Sequence, residues 1–151
     1  MSRLSKRYGR ARAKKDVWSS LSGGYDKAAR SVAGAVKELE HANEVARDSV
    51  ARAKAAWRPD WARPAKDAVS DGFNAVQKAL QNADNTLGSS GTIVDRLPAY
   101  GDPSHVNQQA RAMLVRLVGL SASARATKAL LSRALTGEPE KVKAALDQIV
   151  L

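Results

Sequence analysis

The chain has 151 residues, with 25 basic against 15 acidic side chains and no cysteine, a size that fits one domain with an additional segment. The absence of cysteine excludes disulfides, cysteine nucleophiles and thiolate metal sites. No apolar run approaches the roughly 18 residues of a membrane-spanning helix, and the basic start lacks the apolar stretch of a classical signal peptide. We therefore expect a protein of the cytoplasm or of the interior of a virus particle.

The apolar content is made of small side chains. Hydrophobic residues form 44% of the chain but aromatics only 5%, and much of the rest is alanine and valine. Burial stabilises a fold by roughly 25 cal/mol per Å² of apolar surface, so small side chains contribute little each. We expect a monomer of marginal stability that gains further burial from neighbouring subunits or a ligand.

The net charge of +10 is unevenly distributed. Residues 1–15 carry seven cations and no acid, and residues 110–137 carry five cations and no acid. Residues 16–87, in contrast, hold ten charges of each sign. Two basic zones therefore flank an electrically neutral middle.

A basic N-terminal arm, residues 1–24, is predicted to end in the Ser- and Gly-rich stretch 19–24. From Tyr25 to Trp57, apolar residues recur every three or four positions without a proline, which predicts one long helix. Two prolines interrupt the pattern at 58–64, and a second helical pattern covers 63–87. The short connection predicts an antiparallel hairpin over 25–87, with Trp57 and Trp61 closing its corner.

Residues 88–101 are predicted to form a long irregular connection, with Ile93, Val94 and Leu97 fixed against the helices. Three short helices are predicted over 102–151. The first begins at Asp102-Pro103 and ends at Gly119, the second begins at Ser121 and stops at Gly137, and the third opens at Pro139. The fold class predicted is therefore all-α: a long antiparallel hairpin followed by three short C-terminal helices, with a basic N-terminal arm.

Catalysis is not expected, and neither is a cofactor or a metal. The chain has only two histidines, and His41 has Glu38 and Glu44 within one helical turn. A solvated polar face explains that arrangement better than a metal site, which draws ligands from more than one turn. No phosphate-binding loop, dinucleotide fingerprint or nucleophile-elbow motif occurs.

The basic arm is the clearest candidate site. A run of cations with one aromatic residue can follow a phosphate backbone without reading its sequence, because each neutralised phosphate releases counterions; Tyr8 could stack on a base. A solubilising tail, an acidic protein surface and anionic lipid headgroups are the competing interpretations. The candidate nucleic-acid-binding residues of the arm are Arg3, Lys6, Arg7, Tyr8, Arg10, Arg12, Lys14 and Lys15.

The second basic zone adds Arg111, Arg116, Arg125 and Arg133 as candidate nucleic-acid contacts. Arg125 and Arg133 are predicted to lie about 80° apart on one helix, away from its apolar face. A basic patch and ordinary solvated positions are equally compatible with this pattern.

Self-association is expected as well, because small residues on several sides of the 25–57 helix permit more than one neighbour. The residues assigned to oligomer or helix packing are Val32, Val36, Leu39, Val50, Trp57, Phe73 and Leu80.

Together these patterns favour a non-catalytic structural protein that assembles in multiple copies and binds nucleic acid without sequence specificity. Small basic helical proteins of phage or virus particles have a similar composition. Two alternatives remain open: a membrane-active or channel-forming component of the type ejected from virus particles, which would bind an anionic membrane, and a helical adaptor within a larger protein assembly.

Overall fold

A computed structural model describes the backbone of residues 3–95 and 105–151 and the side chains of residues 26–95 and 108–151. Within those ranges every regular element is helical, so the all-α prediction is confirmed. The elements are α1 (Arg3–Ala56), α2 (Arg63–Thr86), a π-helical turn (Leu87–Gly91), α3 (Thr92–Asp95), α4 (His105–Thr136) and α5 (Pro139–Gln148).

Helices α1 and α2 pack antiparallel, as the sequence predicts. Their buried positions recur at three- and four-residue spacings, which places them on one side of each helix. Most of these side chains are alanine or valine. The buried residues of this seam are Ala28, Val32, Ala35, Val36, Leu39, Ala42, Ala46, Val50 and Ala53 on α1, and Ala65, Val69, Val76, Ala79, Leu80 and Ala83 on α2.

Small residues let the two helices approach closely at Ser49 and Gly72. A Cβ atom added at Gly72 would lie 2.9 Å from Ser49 Oγ and 3.2 Å from Ala46 Cα. The buried Ser49 hydroxyl accepts a hydrogen bond from the Gly72 N–H at 3.1 Å and donates one to the Ala68 carbonyl. The seam therefore contains a buried polar contact whose hydroxyl is fully used.

The predicted boundary between arm and hairpin is not observed in the backbone. Helix α1 begins at Arg3 and continues through residues 19–24 without interruption. Gly23 and Gly24 each disfavour a helix by about 1 kcal/mol relative to alanine, but both retain the N–H group that a helix needs. Only proline removes that group, and α1 contains none.

The predicted irregular connection is also partly wrong. The chain stays helical past Thr86, through the π-helical turn and α3 as far as Asp95. Ser89 and Thr92 donate their hydroxyl protons to the carbonyls of Asn85 and Gly88, each four residues earlier. Side-chain bonding of this kind satisfies carbonyls where the helical pattern is distorted.

Of the three residues expected to fix the connection, Val94 is buried and Ile93 is exposed. Leu97 and the rest of 96–101 lie outside the described residues.

The first two of the three predicted C-terminal helices form a single continuous helix. Helix α4 runs from His105 to Thr136 and passes through Gly119 and Ser121, the predicted stop and cap. Gly119 does not adopt the positive φ with which a glycine commonly ends a helix, whereas α4 does end at Thr136, directly before the predicted stop at Gly137. Ser121 is consequently a buried mid-helix residue and not a cap. The predicted start at Asp102-Pro103 lies outside the described residues.

Helix α4 packs on both α1 and α2 and completes a three-helix body. It contributes Leu117 and Leu131, which are among the largest fully buried side chains of the core. The last helix, α5, opens at Pro139 as predicted and buries Val142 and Leu146.

The two hairpin-corner tryptophans behave differently. Trp57 is partly buried, and its Nε1 donates a hydrogen bond of 2.8 Å to the Pro139 carbonyl, which joins the end of α1 to the start of α5. Trp61 is 61% exposed. The prediction that both close the corner is wrong for Trp61, because the tight turn from Arg58 to Trp61 leaves its ring in solvent.

Candidate nucleic-acid interface

The principal predicted site, the cations and Tyr8 of residues 1–15, belongs to the first part of α1. Their side chains lie outside the described residues, so the assignment stays a prediction. The charge count itself comes from the sequence alone.

The unbroken α4 helix brings together three of the four predicted cations of the second basic zone. At 3.6 residues per turn, Arg111, Arg125 and Arg133 fall within about 80° of one another. All three are exposed. At about 1.5 Å rise per residue they span roughly 33 Å along the helix.

Arg116 lies apart from this row, on the side of α4 that faces α1. Its Nη2 and Nε donate hydrogen bonds of 2.7 and 3.0 Å to Glu40 Oε1. Arg125 is also paired, with its Nη2 2.9 Å from Asp84 Oδ1 on α2. Both arginine side chains remain more than half exposed.

Such exposed ion pairs contribute about 0.2–1 kcal/mol each to the stability of the fold. A phosphate could therefore compete with Asp84 for Arg125 at small cost. Arg111 and Arg133 make no ion pair with any described side chain, and these two cations mark the ends of the row.

The surface between Arg111 and Arg133 is apolar. Val115 is 72% exposed and Val118 is 53% exposed, and no acid occurs between residues 110 and 137. The same exposed side of α4 contains Gly119, Ala122, Ala126 and Ala129. This face thus offers cations and exposed apolar side chains, and the carboxylate beside it belongs to Asp84 of α2 and not to α4.

The residues assigned to oligomer or helix packing lie in the monomer core. Val32, Val36, Leu39, Val50 and Leu80 are buried, and Trp57 and Phe73 are partly buried against them. Because these side chains are engaged within one chain, a second copy has to contact other positions.

A groove of about 430 Å³ lies between the exposed sides of α1 and α2. Its lining includes the small apolar residues Ala42, Val45, Ala75 and Ala79. Lys37, Glu38, His41 and Lys78 complete the lining. Glu38 accepts a hydrogen bond of 2.6 Å from Asn82 Nδ2, so its carboxylate already has a partner.

Within the described ranges, no group of three or more His, Asp or Glu residues is arranged to hold a metal ion. No helix in the same ranges is long and apolar enough to cross a membrane.

Comparison of the chain with family models, curated proteins and solved structures finds no match.

Sequence reasoning missed the row on α4 and the groove for different reasons. A stop at Gly119 separates Arg111 from Arg125 and Arg133, so their common face could not be found. The available signal was the spacing of 14 and 8 residues between these cations, which is close to four and two turns of a continuous helix. The groove depends on how α1 and α2 face each other, which periodicity within one helix does not reveal.

Proposed function

We propose that this protein is a non-catalytic structural protein that assembles in several copies and contacts nucleic acid through its basic N-terminal segment. A small helical component of a phage or virus particle is the setting that this combination fits best. The protein would act by binding and packing.

Charge segregation is the observation that carries the proposal. Seven cations and no acid occupy residues 1–15, whereas cations and acids balance over residues 16–87. A cluster of this kind binds polyanions through counterion release and without sequence preference. The row of Arg111, Arg125 and Arg133 on α4 supports the same partner, because α4 itself supplies no acid there and Asp84 of α2 holds Arg125 only through an exposed ion pair.

The test is the affinity for mixed-sequence DNA and RNA as a function of salt concentration. The full chain is compared with an arm variant in which the seven cations of residues 1–15 are replaced by glutamine. Each phosphate contact contributes about −0.9 to the slope of log K against log salt on duplex DNA. We expect a steep slope for the full chain and a much shallower slope for the arm variant.

Two further variants distinguish binding through the arm from binding through positive charge elsewhere on the protein. The α4 variant replaces Arg111, Arg125 and Arg133 by glutamine, and we expect it to lower the slope by up to about 3. The matched control replaces the three exposed α1 cations Lys27, Arg47 and Lys54, and it should leave the slope nearly unchanged. A flat salt response of the full chain, or equal slopes for the arm variant and the full chain, would disprove the nucleic-acid component.

Contact with an anionic membrane is the second candidate, and the exposed Val115 and Val118 beside Arg111 favour it. An amphipathic surface of this kind can lie in the headgroup region. Flotation with vesicles of anionic lipid measures this directly, with Val115→Ser/Val118→Ser as the variant. Flotation that is equal for the full chain and the variant would remove the valines from any membrane contact.

A further inference from the structure

The outward face of α1, opposite the buried seam, is polar over its middle part. Positions at three- and four-residue spacing there are all exposed. Lys37 and the polar His41 come first along this face, and the acids Glu44 and Asp48 follow, with Arg52 beside Asp48. Arg30 precedes the small residue Gly34, and Ala51 and Ala55 lie at the other end. The outward face is formed by Gly34, Lys37, His41, Glu44, Asp48, Ala51 and Ala55.

This order of charges is not one that an isolated helix prefers. Glu44 and Asp48 are four residues apart, and like charges at that spacing weakly destabilise a helix. Neither Lys37 nor Glu44 makes an ion pair with a described side chain, and Asp48 pairs only with Arg52 on its own helix. Within one chain the charges of Lys37 and Glu44 are therefore left to solvent, where a second copy could contact them.

We propose that α1 pairs antiparallel with α1 of a second copy, about a two-fold axis that passes between His41 and Glu44. In an antiparallel pair, residues whose numbers add up to 85 then face each other. Lys37 meets the partner's Asp48, His41 meets the partner's Glu44, and Gly34 meets the partner's Ala51. Each contact occurs twice, because a two-fold interface uses the same surface on both copies.

The groove between α1 and α2 supplies the apolar part of this interface. Ala42, Val45, Ala75 and Ala79 line it beside the outward face, and Lys37 and Lys78 place two positive charges, against the one negative charge of Glu38, at its edge. The partner's Glu44 and Asp48 are acids that fit this edge. A phosphate backbone would match the charge but would leave the apolar lining uncovered, so a second copy of the chain suits the groove better.

This inference rests on the self-association that is part of the proposed function. Its test is the dimer dissociation constant, measured by sedimentation velocity over a concentration series. Lys37→Glu and Asp48→Lys each place like charges opposite each other, and each should weaken the dimer roughly ten-fold or more. Lys37→Glu/Asp48→Lys restores opposite charges and should return the constant to within about three-fold of the original.

Lys54→Glu is the matched control, because Lys54 is exposed on the same helix but lies outside the outward face. It should leave the dimer unchanged. All of these positions are exposed, so the variants should keep the melting temperature of the unaltered protein, which is measured alongside.

Cysteine cross-linking tests the register independently, since the chain has no cysteine of its own. A mixture of Lys37→Cys and Asp48→Cys proteins should form the mixed disulfide in preference to either symmetric one.

Dimerisation that is insensitive to both charge reversals would overturn the inference and leave the proposed function standing. A chain that stays monomeric at every concentration would overturn the inference and remove self-association from the proposed function, while the salt titration decides the nucleic-acid component separately.

Discussion

The hydroxyl of Ser49 accepts a hydrogen bond of 3.1 Å from the backbone N–H of Gly72, across the seam between α1 and α2. The contact exists because position 72 has no side chain. A methyl group there would lie 2.9 Å from the Ser49 Oγ and 3.0 Å from its Cβ. Both the close approach of the two helices and the hydrogen bond of the buried Ser49 hydroxyl thus depend on Gly72.

Gly72→Ala should therefore destabilise the protein by up to about 2 kcal/mol, the difference between an overpacking cost of about 1–3 kcal/mol and a gain in helix propensity of about 1 kcal/mol. Urea unfolding measures the change. Gly34→Ala, measured on the monomer, is the control: its new Cβ would meet nothing within 4 Å of the same chain, and the change should stabilise by about 0.5–1 kcal/mol. Equal effects of the two substitutions would contradict the close approach at Gly72.

Two buried serines should respond in opposite directions to replacement by alanine. Ser49 uses its hydroxyl as both donor and acceptor, so Ser49→Ala should cost about 1 kcal/mol. The Ser121 hydroxyl is buried without a hydrogen-bond partner among the described residues. Ser121→Ala removes that penalty and should stabilise by about 0.5–1 kcal/mol. Thermal unfolding of both variants checks the sign, and a loss of stability for Ser121→Ala would indicate a partner for its hydroxyl.

Gly119→Ala tests whether α4 is continuous. In an unbroken helix the new methyl group meets nothing within 4 Å, and the change should stabilise by about 0.5–1 kcal/mol. If Gly119 instead ended a helix with positive φ, the same substitution would be destabilising. Gly119→Pro should cost about 3 kcal/mol or more, because it removes a helical hydrogen bond. Circular dichroism during urea unfolding reports both the helix content and the stability.

Trp57→Phe should weaken the connection between α1 and α5. It removes the hydrogen bond from Nε1 to the Pro139 carbonyl, which is worth about 0.5–1.5 kcal/mol. It also weakens the contact with Lys143, whose Nζ lies 5.1 Å from the ring centroid. Trp61→Phe is the control, and its effect should stay within about 0.5 kcal/mol because the ring is exposed. Hydrogen exchange in α5 should speed up only in the Trp57 variant.

Much of the fold follows from periodicity and proline placement. The apolar spacing predicts the packed faces of α1 and α2, and the prolines mark the turn between them and the start of α5. Glycines misled the prediction at residues 23–24, at 88–91 and at Gly119. A glycine permits a turn without requiring one, and packing on neighbouring helices can outweigh a propensity cost of about 1 kcal/mol.

The candidate site was predictable in composition but not in arrangement. Acid-free stretches are visible in the sequence, so the cations of both basic zones could be named. Which of those cations share a face depends on the continuity of α4, and the pairing of Arg116 with Glu40 and of Arg125 with Asp84 depends on long-range packing. Neither follows from local spacing.

The alanine-rich seam changes the entropy balance of folding. Alanine and glycine have no side-chain rotamers to lose, so ordering them costs only backbone freedom, whereas a buried leucine loses about 0.5–1 kcal/mol of rotamer entropy. Packing α1 against α2 therefore restricts few side chains. This low entropy cost partly compensates for the small hydrophobic gain per residue. Positions such as Ala46 and Ala53 resemble one another, so the close contact between Ser49 and Gly72 is what distinguishes one register of the pair from another. The hairpin should consequently have one well-defined register, even though its side chains are small.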